Sequence, residues 1–239
     1  YKKYADLRMN LLPYIYQQAV KSSKTGIPMM RAMFLEYPED TSCMELDAQY
    51  FFGDNLLVAP VVEEGSNTKD VYLPKGCWYN FFTGERLEGS RFMNVKACIE
   101  DIPVFVKENS IIPLNLQDDF KLFGHVGNKL DGYENLCFMA FVKDKGSYAF
   151  EDDMGNRVDI NFVKKDGVLD VKIESNYQES FALIIRGVKA VDRVLLNRRL
   201  IPKANKDNFE CGEYTFDGES LVIKIDGKIR KNSLKIKMD

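Results

Sequence analysis

The densest set of potential ligands in this sequence is a short acidic run. It contains Glu151, Asp152, Asp153, Asn156 and Asp159. Carboxylate and amide oxygens are the donors that Ca²⁺ prefers, but the run lacks the alternating aspartates and the distant glutamate of an EF-hand loop. The pattern therefore favours a solvated acidic turn over a metal site. The sequence predicts no metal and no cofactor.

An aromatic cluster is the second group of residues that could bind a ligand. It consists of Trp78, Tyr79, Phe81 and Phe82. Such rings can stack on sugar rings, or alternate members of the cluster can pack into a hydrophobic core. Because aromatic side chains chiefly supply buried area, we predict the packing role.

Histidine and cysteine usage limits the remaining chemistry. His125 is the only histidine and is expected in a surface loop, which argues against Ser-His-Asp catalysis and against a His-rich metal site. The cysteines are Cys43, Cys77, Cys98, Cys137 and Cys211. They are odd in number and contain no C-x-x-C pair, which favours reduced thiols over a disulfide framework. Localisation stays open on this basis, with a lean toward the cytoplasm.

Charge and hydropathy exclude two classes of partner. A net charge of −3 gives no electrostatic reason to expect nucleic acid or an anionic membrane as a partner. No apolar run approaches the roughly 18 residues of a membrane span. The length of 239 residues allows two domains. Tyr1 opens directly into a helical pattern, so we expect a piece of a longer protein.

The N-terminal part carries an α/β pattern. Apolar residues at helical spacing predict a first helix, kinked by Pro13 and ended by Gly26. Residues 29–35 predict a buried strand, and residues 44–52 predict a second helix with Gly53 as its C-cap. This order of elements is typical of an α/β barrel or a doubly wound sheet. The partner strands must then lie upstream.

The rest of the chain carries a β pattern. Short apolar runs alternate with Gly-rich and Asp-rich turns, which predicts two antiparallel sandwiches. Three Asp-Gly pairs, at 166–167, 217–218 and 226–227, are predicted to be hairpin turns. A polar break at residues 115–119 predicts a linker between the sandwiches.

Several of these segments, in order and in register, resemble the late part of glycoside hydrolase family 31 enzymes. The similar segments are residues 4–16, 26–31, 34–38, 49–60, 71–74, 78–84, 102–106 and 110–113. Gln-Tyr-Phe-Phe-Gly-Asp-Asn at 49–55 is an example, and the acidic turn at 148–153 extends the similarity. Ala32 departs from the family, where a proline commonly follows the arginine.

The resemblance implies a fold, an activity and partners. It implies a mostly β chain, with two antiparallel β-sandwich domains preceded by the last α/β segment of a (β/α)8 barrel. Residues 1–53 would end the barrel, residues 54–116 would form the proximal sandwich and residues 117–239 the distal one. The family consists of retaining α-glycosidases, so the implied substrate is an α-linked oligosaccharide or glycoside. The implied partner is the upstream catalytic barrel segment, and a chain lacking it is expected to expose a large apolar patch or to form an oligomer through that patch.

No catalytic residue is carried over from the family. Its nucleophilic aspartate lies in a Trp-x-Asp-Met-Asn-Glu type of motif, which this chain lacks, and its acid/base aspartate also falls upstream. Glu36 and Asp40 follow the predicted eighth strand, so they are candidates for rim contacts to sugar hydroxyls or, alternatively, for capping the next helix. Arg31 would either order a rim carboxylate or be a buried pairing arginine.

Two other functions stay open at this point. The chain could be a stand-alone carbohydrate-binding sandwich that uses exposed aromatic residues, or a purely structural sandwich. Residues 1–53 argue against the binding module, since such a module has no use for barrel-like segments, whereas the purely structural role stays open.

Overall fold

The computed structural model describes residues 1–127, 132–205 and 209–238, and the chain is mostly β, as predicted. The helices are α1 (Lys2–Asn10), α2 (Leu12–Thr25) and α3 (Met33–Glu36). The first strands are β1 (Met30–Ala32), β2 (Tyr50–Phe52), β3 (Leu56–Val58), β4 (Thr68–Leu73), β5 (Cys77–Asn80), β6 (Arg86–Glu88), β7 (Arg91–Lys96), β8 (Val104–Lys107) and β9 (Ser110–Asn115). The later strands are β10 (Leu136–Phe141), β11 (Lys145–Glu151), β12 (Arg157–Lys165), β13 (Val168–Ser175), β14 (Phe181–Arg186), β15 (Val191–Leu196), β16 (Arg199–Leu200), β17 (Tyr214–Phe216), β18 (Ser220–Ile225) and β19 (Lys231–Met238). Within these ranges, no helix combines the length and the apolar character that a membrane crossing requires.

The predicted interruption of the first helix is confirmed. The helix breaks at Leu11, and Pro13 stands in the first turn of α2. A proline is tolerated there because the amide that it lacks would have no partner within the helix. Gly26 ends α2 with a φ of 73°, and its amide donates to the carbonyl oxygen of Ser22.

The predicted helix over residues 44–52 is wrong. Tyr50–Phe52 forms β2, which pairs with β3 as an antiparallel hairpin. Gly53 has a φ of 64° in the turn of this hairpin, so it serves as a turn residue and does not cap a helix. The sequence Tyr-Phe-Phe favours a strand because aromatic side chains pack well on a pleated, half-buried surface, and Phe51 is fully buried. The predicted strand at 29–35 is also shorter, since α3 begins at Met33.

Contacts among the described residues divide the chain into a middle unit, residues 18–108, and a split unit, residues 1–17 with 109–239. In the middle unit, one antiparallel sheet has the order β1-β2-β3-β8-β5-β6, and β4 pairs with β7. The core of this unit includes Phe51, Leu57, Val71, Trp78 and Phe105.

The split unit is a two-sheet sandwich. Its sheets have the orders β17-β18-β14-β10-β9 and β11-β12-β13-β19-β15-β16, and their apolar faces form one core. β10 and β14 are parallel, which departs from the predicted all-antiparallel pattern. The chain between these two strands builds β11–β13 in the opposite sheet, and such a long crossover is what a parallel pair requires.

The boundary that the sequence predicts at residue 116 differs from this grouping of contacts. Strand β9 pairs with β10, so residues 110–115 lie in the split unit and not with the proximal strands. Residues 1–17 also lie in the split unit. The three-part division into 1–53, 54–116 and 117–239 stays a prediction for the domain structure of the protein.

Two of the three Asp-Gly predictions are confirmed. Asp166 and Gly167 both have positive φ and connect β12 to β13, and Gly218 turns β17 into β18. The third is wrong, because β18 and β19 lie in different sheets. Gly227 is required there by close approach, since an added Cβ would lie 1.8 Å from the carbonyl oxygen of Glu179.

Candidate functional site

Arg31 is the centre of a buried ion-pair network in the middle unit. It lies on β1 with 6% of its side chain exposed, and its Nε donates to Glu36. Its Nη2 donates to the carbonyl oxygen of Gly53 at 3.0 Å and to Oδ1 of Asp54 at 3.2 Å. Its Nη1 donates to the carbonyl oxygen of Pro28 at 2.9 Å. Arg31 is therefore a buried pairing arginine, and it also orders Glu36.

Asp40, the other predicted rim residue, is engaged through both carboxylate oxygens. Oδ1 accepts from the backbone amide of Ser42 at 3.1 Å, which caps a short 3-10 helix. Oδ2 accepts from the hydroxyl of Tyr72 at 2.8 Å. Burial, followed by this hydrogen bond, raises the pKa of Tyr72. Asp40 therefore caps this 3-10 helix, whereas the helix at 44–52 that either residue is predicted to cap does not form. Contact between either Glu36 or Asp40 and a sugar stays a prediction.

Two weakly acidic groups beside these carboxylates are held in their neutral form. Burial, followed by the charge of Glu36, raises the pKa of Tyr37 to about 12. Burial, followed by the charge of Asp40, raises the pKa of Cys43 to about 11. Neither group supplies a nucleophile or a base near neutral pH, because the thiolate and the phenolate are both disfavoured.

A groove of about 520 Å³ in the middle unit is lined in part by three exposed apolar side chains. We name these three residues, Met30, Phe34 and Met44, the apolar face; they are 42–59% exposed. Polar residues that include Arg31, Glu45 and Asp47 share the lining of the groove. Large exposed apolar patches commonly mark surfaces that another chain segment or protein covers.

The aromatic cluster packs into the core, as predicted. Trp78, Tyr79 and Phe81 are at most 4% exposed, whereas Phe82 is only partly buried. The indole Nε1 of Trp78 donates to the carbonyl oxygen of Pro74 at 2.8 Å. These rings therefore hold the middle unit together and offer little surface for stacking against a sugar.

The acidic run is a structural turn built on one buried carboxylate. Oδ1 of Asp152 accepts from the backbone amides of Met154 at 3.0 Å and Asn156 at 2.8 Å, and Oδ2 accepts from the side chain of Asn156 at 2.8 Å. Asp152 is 8% exposed, so the predicted solvation holds for its neighbours and not for Asp152 itself. Among the described residues, no set of three or more His, Cys, Asp or Glu side chains could hold a metal ion.

Replacing Asp152 with alanine is expected to lower the free energy of unfolding by about 1–3 kcal/mol, because partly buried amides lose their acceptor. Its exposed neighbour provides the matched control, since Asp153→Ala should change stability by less than about 0.5 kcal/mol. Urea denaturation followed by circular dichroism measures both. Equal effects of the two substitutions would contradict this role for Asp152.

His125 lies in an exposed loop, as predicted, and contacts a buried acid. Its side chain is 75% exposed, and its Nδ1 is 3.0 Å from Oδ1 of Asp6. The cysteines are all free thiols, with Cys43, Cys77 and Cys137 buried and Cys98 and Cys211 exposed.

A second groove, of about 460 Å³, lies in the split unit and has no counterpart in the sequence predictions. We name it the tyrosine groove; it is lined by Gly132, Tyr133, Glu134, Met154, Asn156, Tyr177, Gln178 and Glu179. These residues come from three connections far apart in the chain. No motif or periodicity links them, so only the tertiary fold brings them together.

Comparison with protein families and curated proteins gives matches over much of the chain. Residues 26–112 match the family described as Glycosyl hydrolase family 31 C-terminal domain. The isomaltosyltransferase of Sporosarcina globispora is 48% identical over 158 residues, which are 66% of this chain and 14% of that protein. An α-xylosidase of Saccharolobus solfataricus is 36% identical over 154 residues, which are 64% of this chain and 20% of that protein.

Solved structures match nearly the whole chain. The cycloalternan-forming enzyme of Listeria monocytogenes, in complex with a pentasaccharide substrate, matches 99% of this chain and 23% of its own, with a TM-score of 0.93 and 33% identity. The dextranase of Flavobacterium johnsoniae, complexed with glucose, matches 97% of this chain and 32% of its own, with a TM-score of 0.85 and 27% identity. The chain therefore spans between 14% and 32% of the lengths of these relatives.

Proposed function

We propose that this chain is the C-terminal part of an enzyme that acts on α-linked sugars, because residues 26–112 match the C-terminal domain of glycosyl hydrolase family 31. The observation that carries the proposal is the 48% identity to an isomaltosyltransferase, supported by the similarity to an α-xylosidase. Hydrolysis and transfer share the cleavage of an α-glycosidic bond and differ in whether water or a sugar hydroxyl is the acceptor. The proposal covers both outcomes.

In the proposed enzyme, this chain contributes scaffold and no catalytic carboxylate. A retaining mechanism needs two carboxyl groups about 5–5.5 Å apart, one of which acts as nucleophile and the other as acid and base. Glu36 is bound to Arg31, and Asp40 is bound to Ser42 and Tyr72, so both have fixed structural partners. We propose that these two residues lie at the rim of the active site and contact sugar hydroxyls.

The partner of the apolar face, in this proposal, is the upstream catalytic segment of the same protein. Burying side chains such as Met30, Phe34 and Met44 stabilises the assembly by roughly 25 cal/mol for each Å² removed from water. If the upstream segment is missing, the same face favours association between copies of the chain. Barrel closure and self-association therefore compete for one surface.

The test compares the 239-residue chain with the longer protein that contains it. We expect the longer protein to hydrolyse an aryl α-glucoside or α-xyloside and the purified chain to show no activity. Hydrolysis by the chain alone would contradict the scaffold role.

The role of the apolar face is tested in the longer protein with two matched substitutions. Phe34→Asp is expected to lower the yield of active enzyme, because it places a charge in the covered face. Val62→Asp is the control, since Val62 is also exposed and lies outside the face. Equal yields from both variants would exclude the apolar face as the contact surface.

A further inference from the structure

The tyrosine groove has the size of a small-molecule site. Its volume of about 460 Å³ falls within the range of about 300–1,000 Å³ that is usual for ligand pockets. Its walls combine aromatic rings, a methionine side chain, amides and carboxylates. Such a mixture can contact the nonpolar C–H groups of a polyol and form hydrogen bonds with its hydroxyl groups.

The aromatic walls are rigid because the core of the split unit supports them. The ring of Tyr133 packs edge-on against Phe150, with centroids 6.2 Å apart, and the ring of Tyr177 packs edge-on against Phe181 at 6.4 Å. Rigid tyrosines supply contact area at a small cost in side-chain entropy. Burial, with the nearby charge of Asp152, raises the pKa of Tyr133 to about 12, so its hydroxyl keeps its proton and can donate.

The polar groups of the groove are positioned as hydrogen-bond partners. Gln178 is held by its amide, which donates to the carbonyl oxygen of Asn176 at 2.9 Å, and Asn156 is held by Asp152 at 2.8 Å. Glu134 and Glu179 are exposed and present carboxylate oxygens, which accept hydrogen bonds from hydroxyl groups. Of the described residues that line the groove, none is basic, so an anionic ligand would be repelled.

We propose that the tyrosine groove binds a neutral oligosaccharide. The ring of Tyr133 packs against the nonpolar C–H groups on one side of a sugar ring. The carboxylates of Glu134 and Glu179 accept hydrogen bonds from the hydroxyl groups of that sugar. The site rests on the geometry of the groove alone, whereas the choice of α-linked sugars as its ligands rests on the proposed function. The sequence similarity assigns no role to these residues.

The experiment measures binding of maltotriose, isomaltotriose and cellotriose to the 239-residue chain by saturation-transfer NMR and calorimetry. We expect an α-linked trisaccharide to bind with millimolar affinity. Tyr133→Ala is expected to weaken that binding about tenfold, because it removes the stacking ring. Glu179→Gln keeps the shape of an exposed side chain and is expected to weaken binding a few-fold without affecting folding.

Two controls make the result decisive. Glu174→Gln neutralises another exposed carboxylate of the split unit, outside the groove, and should leave binding unchanged. Choline is the cationic probe, and its binding in preference to the sugars would overturn the proposal. Binding of cellotriose alone, of no sugar, or of sugars with equal affinity in all variants would also overturn it. The activity of the longer protein on aryl glycosides is a separate readout, so failure of the proposed function is recognised independently.

Discussion

Replacing Arg31 with methionine is expected to lower the free energy of unfolding of the middle unit by about 3 kcal/mol, near the lower end of the cost of breaking a buried ion pair. The guanidinium is 6% exposed, whereas Glu36 and Asp54 are 25% and 35% exposed. Water can therefore hydrate the abandoned carboxylates in part, which places the expected cost below that of a fully buried network. The carbonyl oxygen of Gly53 loses a donor as well.

Urea denaturation followed by tryptophan fluorescence measures this effect, because Trp78 is the only tryptophan and is buried in the middle unit. Lys21→Met is the matched control, since Lys21 pairs with the same Asp54 at 2.7 Å but is 47% exposed. An exposed pair is worth at most about 1 kcal/mol. If both substitutions lower the free energy of unfolding equally, burial of Arg31 does not determine its contribution to stability.

Gly227→Ala is expected to destabilise the split unit by about 3 kcal/mol or more. The new Cβ would lie 1.8 Å from the carbonyl oxygen of Glu179 and 2.7 Å from that of Tyr177. Both atoms belong to the backbone, so no change of rotamer relieves the clash, and the connection that carries part of the tyrosine groove must move.

Gly127→Ala is the control for this substitution, because a Cβ at Gly127 would meet no atom within 4 Å. It is expected to change stability by less than about 0.5 kcal/mol. Thermal unfolding followed by circular dichroism compares the two variants. If Gly227→Ala leaves stability unchanged, the backbone at residues 177–179 moves to accommodate the added Cβ at little energetic cost, and the prediction is wrong.

Local signals in the sequence predict the features that depend on neighbouring residues. The break near Pro13, the cap at Gly26 and the turn at Asp166-Gly167 follow from backbone preferences of one or two residues, and each is found in the structure. Local signals do not predict the strand at Tyr50–Phe52, because its stability comes from pairing with β3 and from burial of Phe51, which are tertiary effects.

The candidate site shows the same division between local and tertiary information. Arg31 and Glu36 lie five residues apart, so a contact between them can be anticipated from the sequence. The tyrosine groove joins connections near residues 133, 155 and 178, and Gly227 approaches it from a fourth. A preference for strand or turn at each of these places carries no information on which loops will meet.

The composition of the split unit from residues 1–17 and 109–239 has a consequence for protein synthesis. Asn10 donates to the carbonyl oxygen of Asn115, 105 positions later, and Gln17 donates to that of Glu151, 134 positions later. At a translation rate of about 5–20 residues per second, the ribosome needs roughly 5–20 s after making Asn10 to reach Asn115. During that interval α1 lacks its contacts with residues 109–239 of the split unit. Synonymous codon changes that slow translation between residues 20 and 115 would lengthen this interval without altering the finished protein.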